Sequence, residues 1–94
     1  MKIEVFGKEG CALCRTTKRK LAHFLEKWGL AQTVELSFVN LETEDGLAEA
    51  AFRDVSDVPT TIVSDNGTTF ARWRQAVPSS DDVRKVLENA GAAK

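Results

Sequence analysis

Apolar and polar residues change their period several times along the chain, and each change predicts an element. Lys2 to Phe6 alternates charged and apolar residues, the period of two expected of a strand. Gly7 to Gly10 reads as a short loop with a glycine at each end. From Leu13 onward the apolar positions are Thr17 (through its methyl), Leu21, Phe24, Leu25 and Trp28. Steps of three and four on one face predict an amphipathic helix, stopped by Gly29. Val34 to Val39 predicts a second strand with Val34, Leu36 and Phe38 on one face. Thr43 can cap a second helix, with Glu44 and Asp45 in its first turn and Leu47, Ala48, Ala51 and Phe52 as an apolar stripe. Val58-Pro59 breaks the chain, and the β-branched Thr60 to Ser64 predicts a third strand. Asp65-Asn66-Gly67 is a hairpin signal leading to a fourth strand over Thr68 to Trp73. Ser79 or Ser80 caps a last helix in which Val83, Val86 and Leu87 face inward, with Gly91 near its end. The expected order is β-α-β-α-β-β-α, without repeats or low-complexity stretches.

Composition narrows the class. The 94 residues suit one small domain, and 43% hydrophobic with 29% charged residues is an ordinary globular balance. No apolar run approaches the roughly 18 residues of a spanning helix. The charged residues within Met1 to Gly7 argue against a secretory signal, and a net charge of -1 argues against a dedicated nucleic-acid binder. The charge is unevenly spread: residues 1–28 carry a local +4 and residues 29–70 a local -7. Two solvated faces of opposite sign explain this, as does a cysteine-bearing segment that presents positive charge to anionic thiols or an acidic partner.

Two cysteines are too few for a secreted disulfide framework, but Cys11 and Cys14 are spaced to close a short disulfide at the start of a helix. Unpaired N–H groups there favour a thiolate at Cys11, the attacking species in disulfide exchange. Lys8, Arg15 and Lys18 add positive charge nearby. Cys14, one turn further in, is expected to be more buried and to act as the resolving thiol. Two thiolates could also hold part of a metal or iron–sulfur site, yet the remaining ligands are missing from one chain. His23 lies nine residues beyond Cys14, about 13 Å along a helix, and reads as a solvated surface residue. A metal or cluster carrier would therefore need a dimer or an added thiol. A pair of ordinary semi-buried cysteines and a binding module with a regulatory disulfide are further readings.

Strand, loop, Cys-x-x-Cys opening a helix, then Val58-Pro59 ahead of a hairpin and a final helix resembles the thioredoxin-fold superfamily. Val5-Phe6-Gly7-Lys8-Glu9-Gly10-Cys11-Ala12-Leu13-Cys14, Asp57-Val58-Pro59 and Ser79-Ser80-Asp81-Asp82 are similar to glutaredoxin segments. The resemblance implies one α/β domain over residues 1–94, a four-stranded mixed sheet flanked by three helices. It implies a cis Val58-Pro59 peptide that holds the Val58 backbone opposite Cys11, where a substrate or glutathione backbone could pair. Lys8 would bind a glutathione carboxylate, and the amides of Asp81 and Asp82 with the Asp82 side chain its γ-glutamyl end. Plain helix capping explains the two aspartates equally well. Ala12 and Leu13 replace the motif's proline and aromatic, and Pro78-Ser79 replaces its paired glycines. Thioredoxins have a buried carboxylate six residues before their first cysteine, where this chain has Val5. Trp28 and Trp73 are expected in the core and Arg72 and Arg74 on the surface.

The resulting expectation is a thiol–disulfide oxidoreductase with Cys11 as nucleophile and Cys14 as resolving thiol. Lys8, Ala12, Leu13, Val58, Pro59, Asp81 and Asp82 form its substrate or glutathione site. No metal site and no tightly bound cofactor are expected, with glutathione as a possible co-substrate. Expected partners are a disulfide-containing protein and a reductant, glutathione or a thioredoxin-reductase-type enzyme, with no nucleic acid or membrane. A monomer in the reducing cytoplasm suits such a pair.

Overall fold

A computed structural model describes residues 1–91. The elements are β1 (Lys2–Gly7), α1 (Ala12–Lys27), β2 (Glu35–Asn40), α2 (Glu44–Phe52), β3 (Thr60–Asp65), β4 (Thr68–Arg74) and α3 (Ser80–Asn89), in the expected order. The strands form one mixed sheet in the order β2-β1-β3-β4. β1 runs parallel to β2, and β3 is antiparallel to both β1 and β4. The parallel pair needs a long crossover, which α1 supplies. The β3–β4 pair needs only a tight turn, and Asn66 and Gly67 provide it at φ 50° and 83°.

Alternation along β1 divides the interior into two layers. Ile3 and Val5 point to the side where Leu21 and Leu25 of α1 and Val83 and Leu87 of α3 close the larger core, together with Val63. Phe24, Trp28, Phe38 and Trp73 pack against that core while remaining only half-buried. Phe6 points the other way, into a smaller cluster with Leu41, Ala50, Val55 and Ile62. Arg72 and Arg74 are exposed, as their surface positions require.

The second helix corrects the sequence reading. Thr43 caps it as expected, its Oγ1 accepting from the Gly46 amide at 2.9 Å. Its apolar stripe, however, is turned to solvent: Leu47, Ala48, Ala51 and Phe52 are all exposed, and Gly46 and Ala50 face the sheet instead. The reason lies in how closely the helix approaches the end of β2. A Cβ at position 46 would sit 1.7 Å from the carbonyl oxygen of Asn40, so only glycine fits. That contact fixes the rotation of the helix and leaves the bulkier side chains outside.

Glu4 shares the smaller side of the sheet with Phe6 and is buried. Arg53, just past α2, donates to its carboxylate at 2.7 Å, and Lys2 lies 3.7 Å from the same group. Arg72 of β4 donates to the Arg53 carbonyl, tying the end of α2 to the far edge of the sheet. Among the described residues no helix is long and apolar enough to cross a membrane.

Candidate active site

All three helices begin with the same device. A side chain at the N-cap accepts a hydrogen bond from the amide three residues on: Thr43 in α2, Ser79 in α3 and Cys11 in α1. At Cys11 the acceptor is sulfur, 3.1 Å from the Cys14 amide nitrogen. A cap atom that accepts hydrogen bonds is stabilised when it carries negative charge. The cysteine therefore stands where the start of the helix favours its thiolate. Arg15, one turn along, donates to the carbonyl of Glu9 at 2.7 Å and keeps its positive charge beside the loop.

The two thiols are driven apart in acidity. The Cys14 thiol donating to Cys11, the backbone amides of Cys14 and Leu13, and the charge of Arg15 together hold Cys11 below the ordinary thiol range. Burial pushes Cys14 up, and its hydrogen bond to Cys11 and the charge there add to the rise. Both cysteines are free, Cys11 partly accessible and Cys14 buried. One is thus disposed to attack and the other to wait with its proton.

Gly7 makes room for the buried thiol, since a Cβ there would lie 2.7 Å from the Cys14 sulfur. A glycine at the last position of a strand, just before a thiol loop, was the sequence signal for this close approach. The Cys11 amide donates to the Lys8 carbonyl at 3.2 Å, closing the loop between strand and helix. Thr17 Oγ1 donates to the Leu13 carbonyl at 2.8 Å inside α1. Lys18 lies over the Phe38 ring, 5.2 Å from its centroid.

The Val58-Pro59 peptide is cis. Thr60 pairs with Phe6 at the end of the β1–β3 ladder, so Val58 and Pro59 enter β3 at the end of the sheet where Gly7 and Lys8 leave β1 toward Cys11. Lys8 and Val58 line one groove together. Ala12 and Leu13 sit exposed between the cysteines in the first turn of α1. Asp81 and Asp82 occupy the first turn of α3, and the Asp82 amide is engaged by Ser79 Oγ at 3.2 Å. Asp82 borders a recess with Trp73 and Lys85, and Asp81 another with His23 and Arg84, so neither lines the groove of Lys8 and Val58. His23 is exposed and tilted against Phe24. Among the described residues no group of three or more His, Cys, Asp or Glu side chains is placed to hold a metal ion.

A mixed sheet with a Cys-x-x-Cys helix after its first strand and a cis-proline before the hairpin defines the thioredoxin fold, and this chain has it. No protein-family model matches the sequence, and no curated protein matches it. Solved structures do. Thioredoxin 1 of the thermophilic eubacterium Thermosipho africanus is similar at a TM-score of 0.75 and 21% identity, over 96% of this chain and 93% of that one. A malaria-parasite thioredoxin-2 gives 0.76 and 23%, over 94% and 81%. Thioredoxin O2 of Arabidopsis thaliana, in its oxidized state, gives 0.74 and 18%, over 94% and 72%. The likeness is one of fold.

Proposed function

We propose that the protein is a dithiol–disulfide oxidoreductase. The observation that carries this reading is the placing of the Cys11 sulfur as the cap of α1, next to the buried Cys14, whose acidity burial lowers. The Cys11 thiolate attacks one sulfur of a substrate disulfide. A mixed disulfide forms, and the other substrate sulfur leaves as a thiolate that takes up a proton. Cys14 then loses its proton and attacks the Cys11 sulfur. The intramolecular disulfide forms, the second substrate thiolate is released, and two electrons have passed from the protein to the substrate.

An external thiol, glutathione or that of a reductase, resets the pair by the reverse exchange. The electrons travel on the two sulfurs, so the cycle requires no bound cofactor. A reducing compartment such as the cytoplasm suits a protein that must keep this dithiol reduced. Val58 offers its main chain to an extended substrate, and Lys8 offers a cation to a carboxylate, glutathione's included.

A reductase assay run in parallel with glutathione and with a thioredoxin-reductase system tests the reading. Turnover is expected with at least one donor. Cys11→Ala should fall to the uncatalysed background, and Cys14→Ala should accumulate a mixed disulfide visible by mass spectrometry. Full activity in Cys11→Ala, or silence of the native protein with both donors, would overturn it.

A further inference from the structure

α2 presents to solvent the side chains by which an amphipathic helix is ordinarily held. Leu47 is 55% exposed and Phe52 85%, with Ala48 and Ala51 beside them. Large apolar side chains gathered on one exposed face mark a contact surface. Two features indicate what covers this one.

The first is charge. Residues 42–57 contain six carboxylates, Glu42, Glu44, Asp45, Glu49, Asp54 and Asp57, and one cation, Arg53. Arg53 is turned inward onto Glu4. Asp57 is paired with Arg74 at 3.0 Å, and Glu49 lies 3.9 Å from Arg53. Among the described residues Glu42, Glu44, Asp45 and Asp54 form no ion pair, so the apolar face is fringed by negative charge, with Lys8 the one cation, at its thiol-loop end. The second feature is continuity. One flank of α2 forms a groove of about 380 Å³ with Lys8, Leu41, Leu47, Ala51, Val55 and Val58 on its walls. The Lys8 carbonyl holds the Cys11 amide, so the groove leads from the helix to the thiol loop.

We infer that this face docks a cationic segment of the protein substrate, with a leucine- or phenylalanine-class side chain in the groove and lysine or arginine side chains against the carboxylates. The inference rests on the oxidoreductase reading and names the class of disulfide it serves. A second copy fits less well. Two α2 faces together set carboxylates against carboxylates. Basic α1 residues such as Lys18, Arg19 and Lys20 on α2 would be a head-to-tail contact, which grows into open chains unless the rotation between copies closes a ring.

The experiment uses two disulfide-bridged peptides of one sequence, flanked either by Lys and Leu or by Glu and Ser, with bis(2-hydroxyethyl) disulfide as a small substrate lacking any flank. At low salt the full chain should reduce the Lys/Leu peptide with kcat/KM about tenfold above the Glu/Ser peptide. The preference should shrink to about twofold at 0.5 M salt, where surface charges are screened. Phe52→Ser combined with Glu44→Gln should lose most of it and reduce the small disulfide at the native rate. Equal turnover of the two peptides, or a preference untouched by the double variant, overturns the docking face while the oxidoreductase reading stands. Salt-sensitive self-association in sedimentation overturns it in favour of a second copy. Failure to reduce even the small disulfide overturns the oxidoreductase reading, and the docking face with it.

Discussion

The two sides of the sheet are held by different physics. On one side α1 and α3 bring Leu21, Leu25, Val83 and Leu87 onto Ile3, Val5 and Val63, a continuous apolar layer. On the other side α2 brings little more than Ala50 onto Phe6 and Ile62, with Leu41 and Val55 from the flanking loops. What holds that helix is a close approach at its start, Gly46 on Asn40, and an ion pair just past its end, Arg53 on the buried Glu4. The first side gains from area and is spread over many residues. The second depends on a few atoms and should fail at single positions.

The sharpest way to break this comparison is at Arg53. Arg53→Met leaves Glu4 as a buried carboxylate with only Lys2 at 3.7 Å to answer it. Stranding a buried charge costs about 3–5 kcal/mol, and chemical denaturation should show a loss near the lower end. Adding Glu4→Gln should recover a good part of it. A loss below about 1 kcal/mol would mean the ion pair does not hold α2.

A smaller effect is expected at the other end of the helix. Gly46→Ala forces a methyl into the Asn40 carbonyl and should cost about 1–3 kcal/mol. At Gly10 a Cβ meets nothing within 4 Å, so Gly10→Ala should stay within about 0.5 kcal/mol. Equal losses at the two glycines would remove close approach as the reason for the helix's rotation.

The smallest effect belongs to the start of α1, on the first side. Cys11 is held below the ordinary thiol range, so its thiolate is present at lower pH than a free cysteine's. The stability that the thiolate adds is present above the unfolded thiol's pKa and is lost as pH falls through the lower folded value. Arg15→Gln removes the weakest of the lowering influences and should shift the pH profile of Cys11 alkylation upward. At neutral pH the rate should drop about twofold, with little change in denaturation midpoint. An unmoved profile would show that the Cys14 thiol and the amides at the helix start set the acidity without Arg15.

Element order was legible because each element carries its own local signal. Thr43 and Ser79 are side-chain caps, Asn66-Gly67 is a turn with two positive φ angles, and α1 repeats its apolar residues every three or four positions. The cysteine pair was legible for the same reason, since the start of a helix is a local property. The direction of α2 was not. Periodicity shows that one face differs from the other, and in a nine-residue helix it does not say which face meets the sheet. Gly46 carries that information, because a glycine inside a helix costs about 1 kcal/mol and here stands where two backbones touch. Glu4 gives no local signal, because a charged residue in an alternating strand ordinarily marks the solvent side, and its partner lies 49 residues away.

Fastening α2 at its two ends also bears on how the protein can change. Ala48 and Phe52 stand outside both fastenings and outside the groove, so replacing them should alter what the molecule meets and leave its folding intact. The cysteine end of the sheet has no such latitude: Gly7, Cys11 and Cys14 constrain one another within a few ångströms. A tightly constrained cysteine end and a helix face that is free to vary thus occupy neighbouring stretches of one short chain. A lineage, or a designer, could rewrite the outer face of α2 without disturbing the packing around Cys11 and Cys14.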